Sequence, residues 1–389
     1  MGLTKPLDDF YTLQLLFWHS FGKFVADLPY FCCTTLAMKF LRHFLCSIFV
    51  LLSSIALGQS EKKEKQFYAV TVGFYNVENL YDTIDNPLTR DEEFLPQGAN
   101  KWNTEKYLKK LKNLSTVIAD MGVDVNPEGL AILGLAEIEN REVVQDLIST
   151  PKLKNRNYRI VHYDSPDRRG VDVGLIYNPK YYTVTHSKSY RLYKEGDSTF
   201  KTRNQLVVSG LLDGEPLHVI VAHWPSRRGG EKRSAPMRNT AAELGRKIAD
   251  SLLAIDPTAK IIYMGDLNDD PNNKSVTTHF KALNDKNDTL SSNFFNPMYD
   301  LHKKGVGTLA WRDSWNLFDQ TLLSPSLMKR DFSSFRYYGV RVYNKPYIAQ
   351  KEGSFKGYPL RTFAGGSYTG GYSDHFPVYI ILVKDVETK

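Results

Sequence analysis

Several short apolar runs in this chain end in side chains that can do chemistry. Ile261-Ile262-Tyr263-Met264 leads into Gly265-Asp266-Leu267-Asn268-Asp269-Asp270. Asp266 and Asn268 are two apart, so in extended geometry they share a side and can converge on one ligand. A carboxylate and an amide placed together hold water, a metal ion or a phosphate; a polar turn is the alternative, since Asp and Asn form turns readily. Gly265 is expected to let the backbone turn there. The pattern recurs. Tyr75 is followed by Asn76-Val77-Glu78, and Leu130–Ala136 runs straight into Glu137. An acid at the end of so apolar a run needs a partner, because an unpaired buried carboxylate is costly. A cation and a salt bridge both fit that need. Leu217–Ala222 ends in His223, with Arg227 and Arg228 close behind, and Gly371-Tyr372 leads to Ser373-Asp374-His375-Phe376-Pro377 before the apolar Val378–Leu382. Asp319 lies inside Trp315–Leu323 and Asp172 inside Val171–Tyr177. The set suits phosphoryl chemistry: a hard cation takes the carboxylate oxygens, an acid or His takes a proton from water, and another His meets the charged phosphorus centre. Arg227 suits phosphate because its guanidinium binds such oxygens as a fork, and Arg227 with Asp172 is assigned to the substrate phosphate on this residue reading alone.

These side chains need elements to hold them. Phe67–Tyr75, Leu130–Ala136, Tyr158–Tyr163, Val171–Tyr177, Lys260–Met264 and Val378–Leu382 read as strands. Leu206–Leu212 and Leu217–Ala222 read as a hairpin around Asp213-Gly214, and 179–201 as an edge strand and loop. Thr104 is expected to cap a helix over 105–121, with Leu108, Leu111, Leu114, Ile118 and Met121 inward and Lys106, Lys109, Lys110 and Lys112 solvated. Arg141–Ile148 and Met237–Leu253 read as further helices.

The 389 residues carry a net charge of +7 and are 42% hydrophobic. A sizeable core is available, and the basic excess favours polyanionic partners. The N-terminus reads differently from the rest. Met38-Lys39-Phe40-Leu41-Arg42, then an apolar stretch to Leu57 and a small-residue end at Gly58, has the plan of a secretory signal peptide over 38–58. The apolar run is short for a bilayer span. Residues 1–37 are then expected to be an upstream extension or artefact, translation starting at Met38, and the mature protein to be residues 59–389, secreted or periplasmic without a stable membrane anchor. Cys32, Cys33 and Cys46 all precede Gly58, so residues 59–389 contain no cysteine. Disulfides, a thiolate nucleophile and Cys-ligated zinc are thereby excluded from that part.

Tyr75-Asn76-Val77-Glu78, Ala136-Glu137, Ala222-His223, Gly265-Asp266-Leu267-Asn268, Phe318-Asp319 and Ser373-Asp374-His375-Phe376-Pro377 occur in one order over residues 67–383. In this the chain resembles the endonuclease/exonuclease/phosphatase superfamily, related to pancreatic deoxyribonuclease. The resemblance implies an α+β fold: a four-layer α/β/β/α sandwich, two mixed β-sheets face to face with helices outside. It implies Glu137 as the principal metal ligand with Asn76 and Glu78 beside it, and Asp374 as a further acid of the metal site. Asp266 would orient or activate water, Asn268 hold phosphate, His375 contact the scissile phosphate with its tautomer fixed by Asp319, and His223 act as a second catalytic His. The implied cofactor is Mg²⁺, Mn²⁺ or Ca²⁺. The expected activity is phosphodiester hydrolysis, foremost an endonuclease on DNA or RNA acting as a monomer. A phospholipid, sugar-phosphate or inositol-phosphate hydrolase on the same fold is the alternative, and a non-catalytic binding module a third reading.

Overall fold

The computed structural model describes residues 66–286 and 292–386, together with His43, Phe44 and Ser47. The chain clusters into two units, Met1–Glu64 and Lys65–Lys389. In the first, His43, Phe44 and Ser47 are helical and Ser47 donates to the His43 carbonyl at 2.8 Å. The rest of the expected upstream segment and signal peptide lies outside the described residues. No helix among the described residues is long and apolar enough to cross a membrane.

The second unit carries β1 (Phe67–Leu80), β2 (Leu130–Ile138), β3 (Arg159–His162), β4 (Asp172–Tyr177), β5 (Tyr182–Tyr190), β6 (Gln205–Leu212), β7 (Glu215–His223), β8 (Ile261–Asp266), β9 (Ala282–Leu283) and β10 (Phe294–Phe295). After these come β11 (Leu309–Trp311), β12 (Ser314–Asn316), β13 (Asp319–Leu323), β14 (Arg336–Val342), β15 (Phe363–Ala364), β16 (Ser367–Tyr368) and β17 (Val378–Asp385). The helices are α1 (Thr104–Asp120), α2 (Arg141–Ser149), α3 (Glu231–Ile255) and α4 (Met298–Lys303). Two large mixed sheets form, in the orders β14-β17-β1-β2-β4-β3 and β5-β6-β7-β8-β13-β10-β9; β11-β12 and β15-β16 are separate hairpins.

Alternation along the strands builds the layers. Val70, Val72 and Phe74 of β1 meet Val219 and Val221 of β7 and Ile262 and Met264 of β8 in a core between the sheets. The opposite faces are covered by helices. Tyr75, Leu133 and Leu135 pack with Leu111, Leu114 and Val117 of α1 and Val143 and Leu147 of α2. Ile261 and Tyr263 pack with Ala241 and Ile248 of α3. The result is the α/β/β/α sandwich, with its helices mostly peripheral.

Three local expectations need correction. Asn103, not Thr104, caps α1, its side chain accepting from the Lys106 N–H. The inward face of that helix is set by Tyr107, Leu111, Leu114, Val117 and Ile118, which leaves Leu108 57% exposed and turns Lys110 inward to 1% exposure. Trp315–Leu323 is not one strand. The chain breaks after Asn316, where the Leu317 N–H is taken by Asp270, and Asp319 opens β13.

Candidate active site

Parallel and antiparallel pairing gather the candidate residues at one end of the sandwich. β7 runs parallel to β8 with His223 beside Asp266, and β13 runs antiparallel to β8 so that its first residue, Asp319, also pairs with Asp266. In the other sheet, parallel β1 and β2 place Asn76 beside Ala136, one residue before Glu137. β17 starts opposite Phe74, which brings Ser373-Asp374-His375 next to Asn76, and Ser373 Oγ donates to the Asn76 carbonyl at 2.7 Å. The register of β1 on β2 shifts between Asn76 and Leu80, a bulge that re-aims the side chains after it. Glu78, Asn79, Glu137 and Asn268 all have φ between 49° and 62°. Non-glycine residues rarely adopt this left-handed region, and such strain clusters at functional sites. Gly265 is not one of them. Its role is close approach: a Cβ there would lie 2.1 Å from the Ala222 carbonyl oxygen. The expected turn is made at Asn268.

Asp266 is the hub. Its Oδ2 accepts from Asn76 Nδ2 at 3.0 Å and its Oδ1 from the Asn268 N–H at 2.9 Å. The Nε2 atoms of His223 and His375 stand 3.4 and 3.9 Å from Oδ2. Burial raises Asp266 to about 6. The two imidazoles differ in charge. Burial, joined by Arg203 and Arg169, holds His223 well below its ordinary value. Burial also opposes charge on His375, but Asp319, Asp374 and Asp266 outweigh it and hold His375 well above its ordinary value. His375 Nδ1 bonds Asp319 Oδ2 at 2.7 Å, which fixes the ring and leaves Nε2 for the other side.

These groups line a cavity of about 1050 Å³. His223, Asp266, Asn268, His375, Glu137, Asp374 and Arg227 reach its wall. Asp319, Asn76 and Glu78 stand behind it. Among the described residues no hydrogen bond reaches Glu137 Oε1; the Arg169 guanidinium stands 3.8 Å away and the neutral His223 ring 3.9 Å away. Asp374 Oδ1 is 3.9 Å from His375 Nε2, while its other oxygen bonds Arg361.

A family model described as the Endonuclease/Exonuclease/phosphatase family matches residues 71–384. The chain belongs to that family. No curated protein matches it. Among solved structures, a D. rerio TDP2 humanized by 14 mutations is 14% identical and has a TM-score of 0.50, covering 81% of this chain and 98% of that one. A Bacteroides thetaiotaomicron endonuclease/exonuclease/phosphatase family protein is 16% identical with a TM-score of 0.49, covering 83% and 98%. A B. thetaiotaomicron mannosyl-6-phosphatase is 16% identical with a TM-score of 0.48, covering 80% and 99%. At these identities the likeness concerns fold alone.

Endonuclease/exonuclease/phosphatase proteins are hydrolases of phosphate esters and in general depend on a divalent metal. The residues here fit such an ion. Glu137 and Asp374 each present to the cavity one carboxylate oxygen with no hydrogen-bond donor in range, and hard oxygen donors suit Mg²⁺, Mn²⁺ or Ca²⁺. Asn76 and Glu78, expected beside Glu137, are not part of the lining. The Asn76 amide is spent on Asp266 and on the Glu78 N–H. Glu78 is enclosed by the Thr362 N–H, Lys110 and Arg361. His162, Asp164 and Asp172 also form a group able to hold an ion, their ligand atoms within 4.8 Å of one another. None of the three lines the cavity, so this group is separate from the reaction centre.

Of the two residues assigned to the substrate phosphate, one lines the cavity and one does not. Asp172 opens β4, next to the edge strand β3, and bonds His162 and the Ser165 N–H and hydroxyl outside the cavity. Arg227 lines the cavity, but its guanidinium is held by the Asn268 carbonyl, Glu231, Asp269, Asp270 and Asn273. The acids after Asn268 therefore act as pins. Four contributors escaped the sequence reading: Lys110, Arg169, Arg203 and Arg361. Arg203 donates to the Trp224 carbonyl at 2.6 Å, and Arg361 bridges Glu78 and Asp374. Each joins segments distant in sequence, which no local pattern displays.

Proposed function

We propose that this chain is a divalent-metal-dependent phosphodiesterase that cleaves nucleic acid, working as a secreted or periplasmic monomer. The observation that carries the reading is the arrangement around Asp266: a buried carboxylate between one neutral and one protonated imidazole, beside two carboxylate oxygens in the same cavity that accept no hydrogen bond among the described residues. Glu137 and Asp374 would hold the cation, which supplies charge neutralisation at the phosphate. Asp266 takes the proton from the attacking water, held for that task by Asn76 and the Asn268 N–H. His375, protonated against Asp319, donates from Nε2 to a phosphate oxygen and stabilises the added charge. Meanwhile the water oxygen bonds phosphorus and the ester P–O bond breaks, the departing alkoxide taking a proton from solvent. Neutral His223, on the other side of Asp266, orients the same water. Asn268 sits on the wall to receive the phosphate. Nucleic acid is favoured over smaller phosphate esters by the basic balance of the chain and by four cations at the cavity beyond the reacting groups: Arg168, Lys201, Arg228 and Arg312.

The deciding experiment assays the purified protein on plasmid DNA, RNA, sphingomyelin and a mannose phosphate with Mg²⁺ and with chelator. Chelator-sensitive nicking of DNA or RNA, lowered roughly 10²–10⁴-fold in His375→Ala, is the expected result. Turnover of lipid or sugar phosphate alone would keep the chemistry and discard the polymer.

A further inference from the structure

Trp311 lines the cavity and is 63% exposed, whereas Phe318, the other aromatic of the lining, is buried. It sits at the end of β11, where the turn to β12 is made by Arg312 and Asp313, with φ of 48° and 62°. This hairpin is fixed to the reaction centre on several sides. The Thr308 carbonyl accepts from the Phe376 N–H at 2.7 Å, one residue from His375, and the Thr308 N–H bonds the Asn316 carbonyl. Trp315 stacks on Phe376 at 6.1 Å and 15°. Asn316 Nδ2 bonds Asp270 at 3.0 Å, and the Asp313 carboxylate accepts from the Tyr358 hydroxyl at 2.7 Å. Trp315 is thus consumed in anchoring, while Trp311 on the same hairpin is presented. The Arg312 guanidinium lies 5.6 Å from the Trp311 ring centroid, which stiffens the indole and adds charge beside it.

We propose that Trp311 is a specificity-determining residue: a platform on which an unpaired nucleobase next to the scissile phosphate stacks. Three features point to a base. The surface is flat and aromatic, on a hairpin tied to the site through Thr308, Trp315 and Asn316. It shares one cavity with the groups that meet phosphate. Cations with no carboxylate partner among the described residues, Lys201 and Arg228 among them, stand on the same wall for the neighbouring backbone charges. Aromatic stacking plus a basic track is how unpaired strands are held, and a base still paired in a duplex does not offer its face. The inference rests on the nuclease reading and adds to it a preference for single-stranded or frayed substrate.

The test compares wild type, Trp311→Ala and Trp311→Phe with Mg²⁺ on a 20-nucleotide single strand, its duplex, and the same strand with a propanediol spacer replacing successive nucleosides. The exposed position makes both variants safe for folding, checked by circular dichroism. Expected is a loss of about tenfold in kcat/KM on the single strand for Trp311→Ala, carried by KM, with Trp311→Phe near wild type. The spacer strand should lower wild type to the level of Trp311→Ala and leave Trp311→Ala unchanged. Equal losses on strand and duplex, or no loss on either, overturn the platform while leaving the nuclease intact. If the wild type cuts neither polymer, the nuclease reading itself falls.

Discussion

Asp266 concentrates the chemistry because three kinds of neighbour act on one carboxylate. Burial favours its neutral form and raises it to about 6, while the Asn268 N–H and the charged His375 favour ionisation. A group poised there changes state close to neutrality, which suits a proton acceptor. The sign of the pH effect follows. The acceptor must be ionised, so kcat/KM should be steady above about pH 6 and fall tenfold per unit below it. His375 does not add to this limb, since Asp319 keeps it protonated on both sides of that pH. A pH–rate profile checks the limb. Asp319→Asn should weaken the imidazolium and lower activity by roughly 10²–10⁴-fold without removing the Asp266 limb.

At the scale of elements, β7 and β8 must lie close enough for His223 and Asp266 to meet. Gly265 permits it, with the Ala222 carbonyl where a side chain would begin. Gly265→Ala should cost about 1–3 kcal/mol, read as a lowered midpoint in urea, and should cut activity beyond what the lost stability explains. The sequence announced Gly265 but for another reason, since a glycine beside Asp and Asn reads as a turn. Asp266, Glu137, His223 and Asp374-His375, which share one cavity, stood out because a strand that stops at a polar residue is a local pattern. Lys110 was hidden because a lysine among lysines on a helix reads as solvated, and its partners Thr362 and Tyr372 lie some 250 residues on. The four layers were not derivable from periodicity: alternation distinguishes the faces of β1 but not which sheet each face meets.

Across the whole molecule, charge is arranged in two tiers. The cations next to the reacting groups are compensated: Arg203 pairs with Asp167, Arg361 with Asp374 and Glu78, Arg227 with Asp269 and Asp270. The outer ones, Lys201 and Arg228, carry no such partner among the described residues and dominate what a distant polyanion meets. Lys201→Glu with Arg228→Glu should therefore lower kcat/KM on nucleic acid about tenfold at low salt and reduce the salt slope by about 1 per site, with a small phosphate ester changing less than about twofold.

The pairing of β17 bears on the order in which such a protein can come into being. β17 lies between β1 and β14, with Asp385 opposite Phe67. The first strand of the unit gains this partner only after the last has left the ribosome. A nascent chain that ends at Pro377 can therefore pair β8 with β7 and β13 yet lacks the strand that sets Asp374 and His375 beside Asn76. Asp374 and His375 are thus the last of these side chains to be held in place.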